Sequence, residues 1–153
     1  MEKYNILLSY YDKQLQLISK LLNEVREIDV SSYSEQFVFA LRTQQLYTAI
    51  EDLFKQIAKA FENHIDELSS YHKELLIRLS LEIKKIRPAV ISKESFLLLD
   101  KIRAFRHFVR HAYDCEFDEF QLRDLQNKLI HEFDTVSKDL ERFRTYILKL
   151  SET

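Results

Sequence analysis

The densest run of reactive side chains is Arg103-Ala-Phe-Arg106-His107-Phe-Val-Arg110-His111-Ala-Tyr113-Asp114. From Lys101 to Tyr113 the chain carries four cations (Lys101, Arg103, Arg106 and Arg110), two histidines and no carboxylate. Acids then follow closely, at Asp114, Glu116, Asp118 and Glu119. The overall net charge of -2 hides this asymmetry. A local cationic patch can hold phosphate whatever the total charge, although a charge run by itself is also what a solvated helix face looks like. An α-helix turns about 100° per residue, so Arg106, Arg110 and Tyr113 fall within about 60° of one another, with Arg103 close to the direction of Arg110. Phe105, Phe108 and Val109 are then expected to face the core. By the same geometry His111 lies about 140° from Arg106. The two share a pocket only if the helix loosens there or a second chain completes it.

Two chemistries fit these residue types. His107 and His111, at i and i+4, lie on one helix face and could ligate a metal. No third ligand is evident, the glutamate of an HExxH-type helix is missing, and the neighbouring arginines repel a cation, so no metal is expected. Cleavage of RNA asks for less. RNA brings its own nucleophile, the 2′-OH, and the protein need only remove a proton, stabilise the crowded phosphorane and protonate the leaving oxygen. A histidine titrating near neutral pH and one or two arginines suffice, with no metal, cofactor or glycine loop. Arg106 with His111 meets that minimum, and Arg103, Arg110 and His107 are the supporting phosphate contacts.

The elements that must position these residues are helices. The 153 residues contain no glycine and one proline, Pro88, while 46% are apolar and 12% aromatic, which sets the chain apart from disordered sequences. Tight hairpins and bulges rely on glycine, so a β-rich fold is improbable and an all-α bundle is expected. The absence of glycine also removes Walker phosphate loops, the dinucleotide GxGxxG turn and the GxSxG nucleophile elbow. Cys115 is the single cysteine, so no disulfide framework or multi-cysteine zinc site can form within one chain. The opening MEKYNILLSYYDK lacks the basic and apolar regions of a signal peptide, and no stretch reaches the roughly 20 apolar residues of a membrane span. A cytoplasmic protein is expected.

Five helices are predicted, forming one domain over residues 1–153. The first runs from about Glu2 to Ile28, with Leu7, Tyr11, Leu15, Ile18, Leu22 and Val25 at helical spacing. Ser32-x-x-Glu35 reads as a capping box opening a second helix that continues to about Ile65. A third spans about Tyr71 to Lys85 and ends before Pro88, which biases Arg87 out of the helical region. Ser92 is the N-cap of the fourth, which carries Phe96, Leu98, Leu99, Ile102 and Phe105 into the cationic segment. Asp118, with Gln121 three residues on, caps the fifth. Its Phe133, Val136, Leu140, Phe143, Ile147 and Leu150 follow coiled-coil-like spacing, which is read as a helix packing within its own bundle, with a dimer seam as the alternative.

The segment Arg106-His-Phe-Val-Arg-His111-Ala-Tyr113 matches R-x4-H-x-Y and resembles the signature of HEPN domains, in particular HepT-like ribonuclease toxins. The second-helix phrase Leu46-Tyr-Thr-Ala-Ile-Glu51-Asp-Leu-Phe resembles the "A-x-E" helix of the same proteins. The pattern departs from many HepT toxins at His107, where Asp or Asn is common, and at Ala112, where Gly or Glu often stands, as in a divergent branch. The resemblance implies a small helical bundle with the motif at the end of a late helix. It implies a metal-independent endoribonuclease toxin, with Arg106 steadying the scissile phosphate and His111 as acid/base. It further implies a partner: an MntA-like minimal nucleotidyltransferase that neutralises the toxin by attaching AMP to Tyr113. The alternative is a non-catalytic HEPN module that binds RNA or a nucleotidyltransferase without cutting. A homodimer or higher oligomer is expected from the helix geometry, since a two-fold axis could bring one chain's Arg106 near the other's His111.

Overall fold

The computed structural model describes residues 2–62, 72–112 and 116–153. It is an all-α bundle with helices α1 (Glu2–Glu27), α2 (Tyr33–Glu62), α3 (His72–Leu79), α4 (Lys93–His111), α5 (Glu119–His131) and α6 (Phe133–Ser151), and no strand among the described residues. Long helices form because apolar residues recur every three or four positions and nothing in the chain breaks them; packing of that stripe supplies the stability short peptides lack. Leu7, Tyr11, Ile18, Leu22 and Val25 of α1 are buried against α2 and α6. α1 and α2 run antiparallel. Lys3 Nζ reaches the Ala60 carbonyl at one end of the pair, and Arg42 Nε meets Glu24 Oε2 at 3.1 Å at the other.

Side chains close the helix ends where carbonyls would otherwise lack partners. Gln126 of α5 donates to the Val25 and Ile28 carbonyls at 2.9 and 2.7 Å, capping the end of α1. Buried Tyr11 donates its hydroxyl to the Leu140 carbonyl at 2.6 Å, joining α1 to α6; burial pushes this phenol far above its ordinary value.

Two expectations about the elements change. The third helix stops at Leu79 instead of reaching Lys85. The chain turns back and buries Val90 and Ile91, whose N–H groups both donate to the Leu79 carbonyl. Fully buried Arg87 holds this turn, donating to the carbonyls of Arg78, Leu81 and Pro88 and to Glu62 Oε1 at 3.2 Å. With no glycine available, Lys85 takes the left-handed backbone conformation, φ 66°, that the turn requires. The predicted fifth helix is two, α5 and α6, interrupted at Glu132. The heptad-like residues Phe133, Val136, Leu140, Phe143 and Ile147 are all buried within the one chain, so this stripe packs in the protein's own core, as the first reading of its spacing had it. The predicted end of the second helix near Ile65 lies outside the described residues.

Candidate functional site

The fourth helix is pinned at its start. Ser92 is its N-cap, and its hydroxyl accepts from the Ser95 N–H. Asp139, on α6, accepts from Ser92 N at 2.8 Å, from Ser92 Oγ at 2.7 Å and from Ser95 Oγ. Burial pushes the Asp139 carboxyl up, but the hydrogen bonds from Ser95 and Ser92 outweigh it and leave the group below its ordinary range. Leu98, Leu99 and Ile102 then lock α4 into the core, and Phe105 packs edge-on to Phe39 with ring centroids 6.1 Å apart.

One turn further the inward position is Arg106, and it is only 2% exposed. Its guanidinium crosses to α2, donating from Nη1 to Thr48 Oγ1 and from Nη2 to Glu51 Oε2, each at 3.1 Å. It lies over the Tyr47 ring at 4.5 Å from the centroid, a cation–π contact. Burial first, and the Glu51 charge second, push the Tyr47 phenol up. Glu51 is equally enclosed, with 3% of its side chain exposed. His72, the first residue of α3, completes the cluster: its Nδ1 is 2.8 Å from Glu51 Oε2 and 3.2 Å from Arg106 Nη2. A buried charge survives only when paired and hydrogen-bonded, and here three helices contribute to one such arrangement.

Above it opens a cavity of about 250 Å³ lined by His72, Arg103, Arg106, His107, Arg110 and His111. On α4 these positions fan over an arc of about 140°, with Arg106 at one edge and His111 at the other. Both face the same space within one chain, while α4 stays helical through His111. The length of the arginine side chain and the closure of the cavity by His72 from α3 do what helix loosening or a second chain was expected to do. The His107 and His111 rings meet edge to face, centroids 4.4 Å apart and planes at 88°, so each restrains the other's orientation. Arg103 is braced by Asp100, Nε to Oδ1 2.8 Å. A larger groove of about 580 Å³ between α1 and α2 holds no imidazole. No three His, Cys, Asp or Glu side chains gather in a metal-holding arrangement among the described residues.

The sequence-predicted residues Arg103, Arg106, His107, Arg110 and His111 thus converge, but not as one exposed strip. Arg106 is the floor of the cavity and the others form its rim. Tyr113 and Cys115 lie outside the described residues. Phe108, expected in the core, is 43% exposed, its ring 6.4 Å from that of Phe117 on the segment leading to α5. Two members of the cluster were not read as site residues from the sequence. Glu51 had a signal, since it stands in the phrase that resembled the "A-x-E" helix. His72 had none, being an isolated histidine before a short helix.

Together these features define a class: an all-α bundle whose late helix delivers R-x4-H to a cationic, histidine-rich cavity. A family model described as HepT-like protein matches residues 38–147, and the chain belongs to this HepT-like HEPN family. The matched span contains α3 and α4 entire, most of α2 and every described residue of the cavity. No curated protein and no solved structure matches the chain.

Proposed function

We propose that the protein is a metal-independent endoribonuclease of the HEPN toxin kind. The observation that carries this reading is the convergence of Arg106 and His111 on one cavity with Arg103, Arg110 and His107, in a chain of the HepT-like family. A phosphodiester seated on the rim meets Arg103 and Arg110, whose planar guanidiniums suit phosphate oxygens. Arg106, held below by Glu51 and Thr48, supplies a fixed positive end as charge builds on the phosphorane, without having to reorganise. His111 transfers a proton at the leaving or attacking oxygen. The products are a 2′,3′-cyclic phosphate and a 5′-hydroxyl.

The test is cleavage of total RNA with EDTA present. The wild-type protein should cut, and Arg106→Ala and His111→Ala should each slow cleavage by roughly a hundredfold or more. Unchanged rates in both variants, or complete dependence on Mg²⁺, refute the assignment. RNA binding without cutting would instead support the non-catalytic HEPN module.

The same reading includes a toxin–antitoxin pairing with an MntA-like minimal nucleotidyltransferase, and homodimerisation. It makes Tyr113 the off-switch. Tyr113 follows His111 by two residues, so an AMP attached to its hydroxyl would place a phosphate within reach of the rim arginines and compete with substrate phosphate. Co-expression with the nucleotidyltransferase should add about 329 Da per AMP at Tyr113, the mass of a nucleotidyl group. An adduct elsewhere, or none, removes the switch.

A further inference from the structure

The proposed cleavage leaves His72 without a task, yet it is the best oriented imidazole in the cavity. It stands at the start of α3, 34 residues before Arg106 in sequence, with its side chain 36% exposed. Its Nδ1 sits 2.8 Å from Glu51 Oε2, and a carboxylate can only accept, so the short contact reads as Nδ1–H donating to Glu51. With the proton on Nδ1, Arg106 Nη2 at 3.2 Å is a second donor converging on Glu51 Oε2 and not a hydrogen-bond partner of the ring, and the Nε2 lone pair is left for the cavity that His72 lines. Glu51 is itself immobilised by Arg106 Nη2 at 3.1 Å and Lys55 Nζ at 3.5 Å, so the imidazole is set against a rigid carboxylate. A base backed in this way by a third group is the arrangement that proton abstraction from a hydroxyl requires.

We propose that His72 is a second catalytic histidine: Nε2 of His72, oriented by Glu51, accepts the 2′-OH proton while His111 protonates the leaving 5′-oxygen. The inference rests on the ribonuclease reading and divides the work within it. The 2′-oxygen forms its bond to phosphorus as His72 takes its proton. The bond from phosphorus to the 5′-oxygen breaks, and His111 delivers a proton to that oxygen. His72 ends as imidazolium, its two N–H groups directed at Glu51 and at the cavity, and His111 ends neutral; exchange with water restores both. Two imidazoles approaching from different helices can stand on opposite sides of the phosphorus, as in-line displacement demands. His107 and His111, stacked on neighbouring turns of one helix, cannot readily do so.

The experiment compares an all-oxygen RNA with one carrying a single bridging sulfur in place of the 5′-oxygen at the cleaved linkage. A thiolate leaves without protonation, so loss of the general acid is rescued on sulfur and loss of the base is not. His72→Asn keeps an amide N–H at the Nδ1 position toward Glu51 but removes the basic Nε2. It should slow cleavage roughly a hundredfold on both substrates, whereas His111→Ala should be slow on oxygen and recover on sulfur. If His72→Asn does not fold, His72→Gln carries the same comparison. A His72 variant within a few-fold of wild type shows that the ring only buttresses Arg106 and Glu51, and overturns the proposal. Recovery of the His72 variant on sulfur makes it the acid and overturns it equally. Failure of the wild-type protein to cut either RNA would instead bring down the ribonuclease reading itself, and the role of His72 with it.

Discussion

Removing Glu51 and removing Arg106 should have unequal consequences, and the structure says why. Arg106 has one carboxylate partner among the described residues, Glu51, and sits at 2% exposure. Glu51 has three cationic or imidazole neighbours: Arg106 at 3.1 Å, His72 at 2.8 Å and Lys55 at 3.5 Å. Glu51→Leu therefore strands a buried guanidinium, a change that typically costs about 3–5 kcal/mol. Arg106→Leu leaves Glu51 with two partners and should cost less, about 1–3 kcal/mol for the lost charged hydrogen bonds. In the double variant Glu51→Leu/Arg106→Leu no buried charge is left alone, and its cost should fall well short of the sum, giving a favourable coupling of about 1–3 kcal/mol. For a chain of this size Glu51→Leu alone should lower Tm by roughly 6–20 °C. Urea unfolding followed by circular dichroism on the four proteins measures every term. On the ribonuclease reading the double variant should also cleave no RNA, although it is about as stable as Glu51→Leu alone, because Arg106 is gone from the cavity. The reasoning is refuted if Arg106→Leu is costlier than Glu51→Leu, or if the two changes simply add.

Other consequences follow from the same geometry. Mixing Arg106→Ala chains with His111→Ala chains should restore no cleavage, because both residues line one cavity within each chain; recovery of activity would show that sites are composite. Asp139→Asn should destabilise the protein by about 2–3 kcal/mol at neutral pH, since the carboxylate accepts from Ser92 twice and from Ser95. The folded Asp139 titrates below its unfolded value, so its contribution is complete above the ordinary aspartate pKa of about 3.9 and is lost as pH falls through the lower folded value. The gap between wild type and Asp139→Asn should accordingly narrow below about pH 4, and a gap that widens in acid contradicts the assignment. Arg87→Ala removes the group that gathers three carbonyls around the turn after α3, and should cost about 2–4 kcal/mol by thermal unfolding from the lost charged hydrogen bonds, Glu62 keeping Arg78 as its partner. A loss under about 1 kcal/mol would mean that water replaces the guanidinium there.

Much of this protein is local enough to be written in its sequence. A chain without glycine and with one proline has few ways to turn, so the helical class follows from composition, and the starts at Lys93 and Glu119 follow from the caps Ser92 and Asp118. The second helix also starts beside Ser32, but the expected capping box does not form: the Ser32 hydroxyl meets Ser34 Oγ instead of the Glu35 N–H. The R-x4-H pair was legible for the same reason, because its spacing acts within a single helix. Where a helix stops without a breaker was not legible. Leu79 ends α3 because Arg87, Val90 and Ile91 compete for its last turn from further along the chain. The interruption at Glu132 likewise has no glycine or proline to announce it. The periodicity of α4 already turns Arg106 inward, since it continues the buried stripe of Ser95, Leu98, Leu99 and Ile102 by one turn. What only tertiary structure decided is the partner that lets a guanidinium stay there: Glu51, 55 residues away along the chain, offers a buried carboxylate. His72 joins that pair from a third helix. Hydrophobic spacing is a property of neighbours in sequence, whereas a buried charge is settled only by the partner that folding brings to it.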